Sequence, residues 1–195
     1  MNRITIIICV LIFGISCRNS ISEKVEESNL KLTDSVFSKI NLPEMTEFDL
    51  RKSLNLQARK WIPLNNPIPI DSLFYRTFLE KDSILGYWKD YQKFYYAGTI
   101  NYLNTKHLAI SQWIGNGDEC YIYLLNFKNG KIKDLLMIAK MNKSPDDYDC
   151  MKSTFENGKI IRTTIRNSST YSDSIVEKFD IINYSKVYCD TIIKK

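Results

Sequence analysis

The chain has 195 residues, 27 Lys and Arg against 22 Asp and Glu, a formal charge of +5, and 44% hydrophobic residues. That length suits one domain with a real core, and so mild a positive excess gives no ground for a nucleic-acid partner. A single histidine rules out zinc sites that need two imidazoles, and no G-x-G-x-x-G, P-loop or G-x-S-x-G occurs, so no cofactor is expected.

Met1-Asn2-Arg3 precedes an apolar run from Ile4 to Ile15, which ends at Ser16-Cys17. A dozen helical residues rise roughly 18 Å, whereas a bilayer core takes about 20 residues, so the run reads as an export signal and not a permanent span. The ending Gly14-Ile15-Ser16-Cys17 resembles the lipobox of bacterial lipoproteins. Ser16 and Cys17 match that pattern, while Gly14 stands where the family usually has a Leu-like residue. Gly14 and Ser16 also satisfy the small-x-small rule for ordinary signal cleavage ahead of Cys17.

The resemblance covers residues 1–17 alone and implies that residues 1–16 are removed and Cys17 becomes lipid-modified. It implies a protein anchored to a bacterial membrane, the outer rather than the inner, facing the periplasm or the exterior. One fatty chain holds only marginally, and the two or three that such proteins carry make the anchor permanent. Loss of residues 1–16 removes Arg3 and no acid, which takes the charge from +5 to +4.

Residues 17–29 are expected to be the lipidated cysteine and a polar tether, acidic at Glu23, Glu26 and Glu27. Residues 30–195 then form one globular domain, helical or irregular over 30–88 and a β-meander over 89–195. Val36, Ile40, Met45, Phe48, Leu50, Leu54 and Leu56 suggest one or two short helices. Pro63, Pro67 and Pro69 make 62–70 an extended connector. Asp71-Ser72 offers a helix cap, and Leu73, Phe74, Thr77 and Phe78 fall on one face of a short helix ending near Lys81.

After Trp88, alternating aliphatic and aromatic segments predict eight strands, at about 94–102, 106–114, 119–127, 131–140, 149–156, 159–166, 173–183 and 186–194. Asn129-Gly130 and Asn157-Gly158 are hairpin turns by composition, since both turn positions need positive φ. The fold class is therefore α+β, predominantly β, an antiparallel meander of about eight strands, open or barrel-like, with a small N-terminal helical region. In such a meander the tight turns share one end, gathering Lys106, Lys128, Lys131, Lys159 and Lys186 against Glu156 alone. The other end gathers Asp118, Glu119, Asp146, Asp147, Asp149 and Asp173, which predicts a polarised domain.

Cys9 leaves with the signal, so Cys120, Cys150 and Cys189 remain in the domain. Cys120 and Cys150 begin strands separated by a third, about 9.6 Å apart, too far for a disulfide; three free, mostly buried thiols are expected. His107 is expected at the surface, at a strand start.

Asp118, Asp146, Asp147 and Asp149 are the candidate metal ligands, as carboxylates for a hard cation such as calcium, though at no EF-hand spacing. Paired acids also serve glycoside hydrolysis. The aromatic run Tyr87, Trp88, Tyr91, Phe94, Tyr95 and Tyr96, with Trp113, Tyr121 and Tyr123, offers flat rings to sugar or peptide, and equally the ordinary filling of half-buried strands. The lysine-bearing turns suit anionic headgroups, or protection against edge pairing. Cys17 is the lipid-attachment residue, and no catalytic residue is assigned. The functional expectation is a non-catalytic envelope lipoprotein acting as a binding or protein-interaction module with a partner in the envelope. The alternatives are a small-ligand carrier whose cavity is lined by Tyr121, Tyr123, Ile161 and Phe179, and a carboxylate-based hydrolase.

Overall fold

The computed structural model describes residues 27–32, 34–36, 38, 41–50, 54–55, 60–61, 68–80, 85, 92–115, 119–142, 148–167 and 172–194. Cys17 and the leader lie outside them. The residues divide into two units: 42–127 with 132–195, which holds the sheet, and 1–41 with 128–131. In the smaller unit residues 27–32, 34–36 and 38 are helical, with Lys31 Nζ 2.7 Å from Glu27 Oε1 one turn away. Helix thus begins inside the stretch expected to be tether. No helix among the described residues is long and apolar enough to cross a membrane.

Four two-residue strands come first: β1 (Glu47–Phe48), β2 (Leu54–Asn55), β3 (Lys60–Trp61) and β4 (Ile68–Pro69). Eight long ones follow: β5 (Gln92–Tyr102), β6 (Thr105–Ile114), β7 (Glu119–Lys128), β8 (Lys131–Asn142), β9 (Tyr148–Glu156), β10 (Lys159–Asn167), β11 (Ser172–Asp180) and β12 (Lys186–Lys194). The long strands lie where alternation places them, except that β11 stops at Asp180 and residues 181–183 form a turn. Neighbours run in the order β12-β11-β10-β9-β8-β7-β6-β5-β4, an open, mainly antiparallel meander. Asn129-Gly130 (φ 53° and 65°) and Asn157-Gly158 (φ 48° and 73°) turn as their composition demands.

β5, β6 and β7 are buried on both faces, because each face has its own cover. On one, Ala109 pairs with Leu124 and Trp113 with Cys120; these belong to the main core with Ile100, Ile138, Ile160 and Phe179. On the other, Leu108 pairs with Leu125 and Ile110 with Tyr123, and a short helix lies against this layer. Asp71 caps that helix, its Oδ1 accepting from Phe74 N at 2.8 Å.

One helical turn, Ser72–Phe74, passes into a π-helical turn, Tyr75–Leu79, closed by Glu80 N donating to Tyr75 O at 2.9 Å. The wider turn shifts the buried face from the expected set: Phe74, Phe78 and Leu79 are buried and Leu73 is 61% exposed. Phe74 and Phe78 meet Phe127 with ring centroids 6.2 and 5.3 Å apart, and Phe74 meets Tyr96 at 5.6 Å.

The segment 43–48 differs most from expectation. Met45 and Phe48, read as helical from their spacing, are in extended chain that ties two distant strands together. Glu44 bridges Thr99 of β5 in parallel sense; Thr99 N donates to Pro43 O at 2.9 Å and Met45 N to Thr99 O at 2.8 Å. Three residues on, β1 pairs antiparallel with β9, Phe48 opposite Ser153, and Phe155 N donates to Thr46 O at 2.7 Å.

A β-bulge between Tyr96 and Gly98 admits this strap. A Cβ on Gly98 would stand 2.5 Å from Met45 Sδ and 2.8 Å from Pro43 O, so only glycine fits. β9 meets β8 at Cys150 and Met151, and β1 at Ser153 and Thr154. Where β1 takes that edge, side chains satisfy β8: the Ser153 hydroxyl donates to Ile138 O, and Arg162 Nη1 donates to Met137 O at 2.8 Å.

Candidate functional site

A groove of about 270 Å³ opens on the outer face of β5, lined among the described residues by Ile70, Ser72, Tyr75, Gln92 and Phe94. Three stretches of chain converge there. Ile70 follows β4 and is fixed by its N–H, which donates to Phe94 O at 3.0 Å. Ser72 and Tyr75 come from the helix that Asp71 caps. Gln92 and Phe94 share one face of β5 by strand alternation, opposite Ile114 and Gln112 of β6.

The walls are aromatic: the Tyr75 and Phe94 rings lie 5.4 Å apart, tilted at 41°. None of the five side chains is a carboxylate, amine or guanidinium. Asp71 stands beside them but is engaged, one oxygen capping the helix and the other accepting from Tyr96 Oη at 3.2 Å. Burial first, and then the Asp71 charge, push the Tyr96 phenol above its usual range.

Gln92 is the chemical feature of the groove. Both its Oε1 and its Nε2 are shielded from solvent and have no hydrogen-bond partner. Leaving an amide in that state costs roughly 1–3 kcal/mol, and buried polar atoms are otherwise almost always paired. One lining side chain of the groove thus carries an unsatisfied donor and an unsatisfied acceptor, with the Tyr75 and Phe94 rings among the other walls.

The other expected sites fare differently. Phe94 reaches the groove; Tyr95 turns to the core, where its ring meets Trp113 at 6.3 Å; Tyr96 sits under the helix. Tyr87, Trp88 and Tyr91 lie outside the described residues. Tyr121 and Tyr123 stack at 6.1 Å, on the face opposite Ile122 and Leu124, so they share no interior with the core residue Phe179. Asp118, Asp146 and Asp147 lie outside the described residues, as does the side chain of Asp149. Among the described residues no group of three His, Cys, Asp or Glu side chains stands together as a metal site.

His107 is a correction. It is 1% exposed, inside the sheet, with Nδ1 2.9 Å from Tyr184 Oη. Its Nε2 has no partner, and burial lowers its pKa to about 4. The parity that puts Ala109 and Trp113 in the core puts His107 there too, and that was the signal available.

The turns of residues 103–104, 157–158 and 181–183 fall at one end by strand order, and two of the lysines expected there are each paired with an acid. Lys159 lies 2.7 Å from Asp180 and Lys186 2.8 Å from Glu177. Glu177 also accepts from Arg162 Nη2 at 2.6 Å, and the Arg162 guanidinium caps the Phe179 ring at 4.4 Å. Burial raises the Glu177 pKa, but the hydrogen bonds and charges of Lys186 and Arg162 outweigh this and hold it below the usual carboxylate range.

Cys120, Cys150 and Cys189 are unbridged, as the strand spacing requires, but Cys189 is exposed on the edge strand β12. Burial pushes the Cys120 thiol up to about 12. No family model matches the chain, and neither characterised proteins nor solved structures yield a match.

Proposed function

We propose that the protein is a non-catalytic binding module, tethered by lipid at Cys17 to a bacterial envelope membrane, and that its ligand seat is the groove between the capped helix and β5. The tether rests on the leader: a basic start, a short apolar run and Ser16-Cys17 ahead of a polar stretch. The membrane is the outer one, with the domain facing the periplasm or the exterior. The binding role rests on one observation, the Gln92 amide left without partners in an aromatic-walled groove. A fold that only needed packing would gain stability from an apolar residue there.

Feeding cells a clickable fatty acid and comparing wild type with Cys17→Ala tests the tether. Label on wild type alone supports it, and equal label on both ends it. Capture of envelope components by the intact tethered protein tests the module. The double variant Tyr75→Ala/Gln92→Leu is expected to lose the captured component while keeping the wild-type circular dichroism spectrum. Unchanged capture would place binding elsewhere.

A further inference from the structure

We infer that the exposed edge of β12 pairs antiparallel with the same strand of a second copy, about a two-fold axis at Cys189, so that the open sheet continues from one chain into the next. This is independent of the groove. The two ends of the sheet differ. β5 is covered along its outer edge by β4, with Pro69 opposite Tyr95, and by Glu44 opposite Thr99. β12 runs nine residues without Pro or Gly and, among the described residues, lies beside β11 alone. Residues 186–191 are all exposed, Val187 at 54% and Tyr188 at 45%. Such an edge is a template for another strand.

The backbone shows which groups are on offer. Thr191 N donates to its neighbour Asp190 Oδ1 at 2.8 Å, a bond open to an N–H that faces away from β11. Alternation then turns the backbone groups of Cys189 outward as well. Set opposite the copy's Cys189, they exchange both hydrogen bonds.

The side chains fit this register. Tyr188 and Asp190 share one face, opposite Lys178 and Val176 of β11, and Cys189 takes the other. Tyr188 then meets the copy's Asp190, and Asp190 the copy's Tyr188, because a two-fold axis makes each contact twice. Lys178 Nζ stands 5.3 Å from the Tyr188 ring centroid, so a positive charge backs the phenol that the copy's carboxylate approaches. Tyr188 Oη donates to Asp190 Oδ2 of its own chain at 3.2 Å; pairing exchanges that acceptor for the copy's and frees the Thr191 N–H for the copy's Val187. A register centred on Asp190 instead would oppose Asp190 to itself and Lys186 to Lys194, like charges that repel.

Cysteine crosslinking of the full chain in detergent tests this, since residues of a hydrogen-bonded pair stand about 5.5 Å apart, within the span of a disulfide. Oxidation with copper phenanthroline is expected to give a covalent dimer that Cys189→Ser abolishes. Tyr188→Asp, which sets acid opposite acid, is expected to slow crosslinking about tenfold, and the exchange Tyr188→Asp/Asp190→Tyr to restore it. Leu103→Cys in the Cys189→Ser background, an exposed thiol on another turn, sets the rate of random collision. The inference would be overturned by wild type crosslinking no faster than that control, by Tyr188→Asp crosslinking as fast as wild type, or by an exchange that restores nothing.

Discussion

At residue scale, the buried imidazole of His107 makes the fold sensitive to acid. Its ordinary pKa of 6.5 falls to about 4 in the folded chain through burial, so the unfolded chain takes up the proton first. Stability is therefore complete above pH 6.5 and drains as pH falls toward 4. Glu177 acts in the same direction but lower: its pKa is held below 4.5, so its contribution is lost only as pH drops beneath that value. The interval between neutrality and pH 5 isolates the histidine. At roughly 1.4 kcal/mol per unit, wild type is expected to lose about 2 kcal/mol between pH 7 and pH 5 in urea unfolding, and His107→Gln to lose much less. An equal loss in the variant would put the acid sensitivity in another group.

The elements differ in how far the sequence announces them. β5 to β12 are legible because each is a run of nine or more residues with aliphatic, aromatic or β-branched side chains bounded by polar turns, and two of those turns spell Asn-Gly. The strap at 43–48 is not legible, since two or three residues hold no period and its partners lie about 50 and 100 residues away. The π-helical turn is missed for a related reason, because helical spacing assumes 3.6 residues per turn and one wide turn moves the stripe by a residue. Of the groove, Phe94 stands out in the aromatic run. Gln92 does not, because an amide becomes notable only once its partners are seen to be missing.

The turn between β5 and β6 shows the same contrast in reverse. Leu103 and Asn104 take φ of 45° and 51°, the geometry of the Asn-Gly turns without their residues, and Leu103 is 68% exposed. A leucine in that region costs about 1–2 kcal/mol. Replacing the pair, Leu103→Asn with Asn104→Gly, is expected to raise stability by about 1 kcal/mol in chemical unfolding. A loss would mean that the Leu103 side chain contributes contacts its exposure does not suggest.

At the scale of the whole sheet unit, each strand of a meander in sequence order is hydrogen-bonded along the sheet only to its neighbours, and the strap adds a link from β5 to β9, past the three strands between them. Pro43 to Met45 bind β5 and Thr46 to Phe48 bind β9, while Phe48, fully buried, anchors the link in the core with about 2–3 kcal/mol of burial. The two halves of the strap are one short extended chain, so loosening one end loosens the other. Gly98→Ala sets a methyl group 2.5 Å from Met45 Sδ and 2.8 Å from Pro43 O; the sulfur can swing away, but the carbonyl moves only with the backbone. The variant is expected to lose about 1–3 kcal/mol, and its amide exchange carries the sharper prediction. Thr99 and Met45, bonded at the β5 end, and Phe155, bonded at the β9 end, should lose protection together, while Glu80 within the short helix keeps its own. If Phe155 exchanged as in wild type while Thr99 opened, β1 would be an ornament of β9 and the relation of β5 to β9 would have to be held by the core alone.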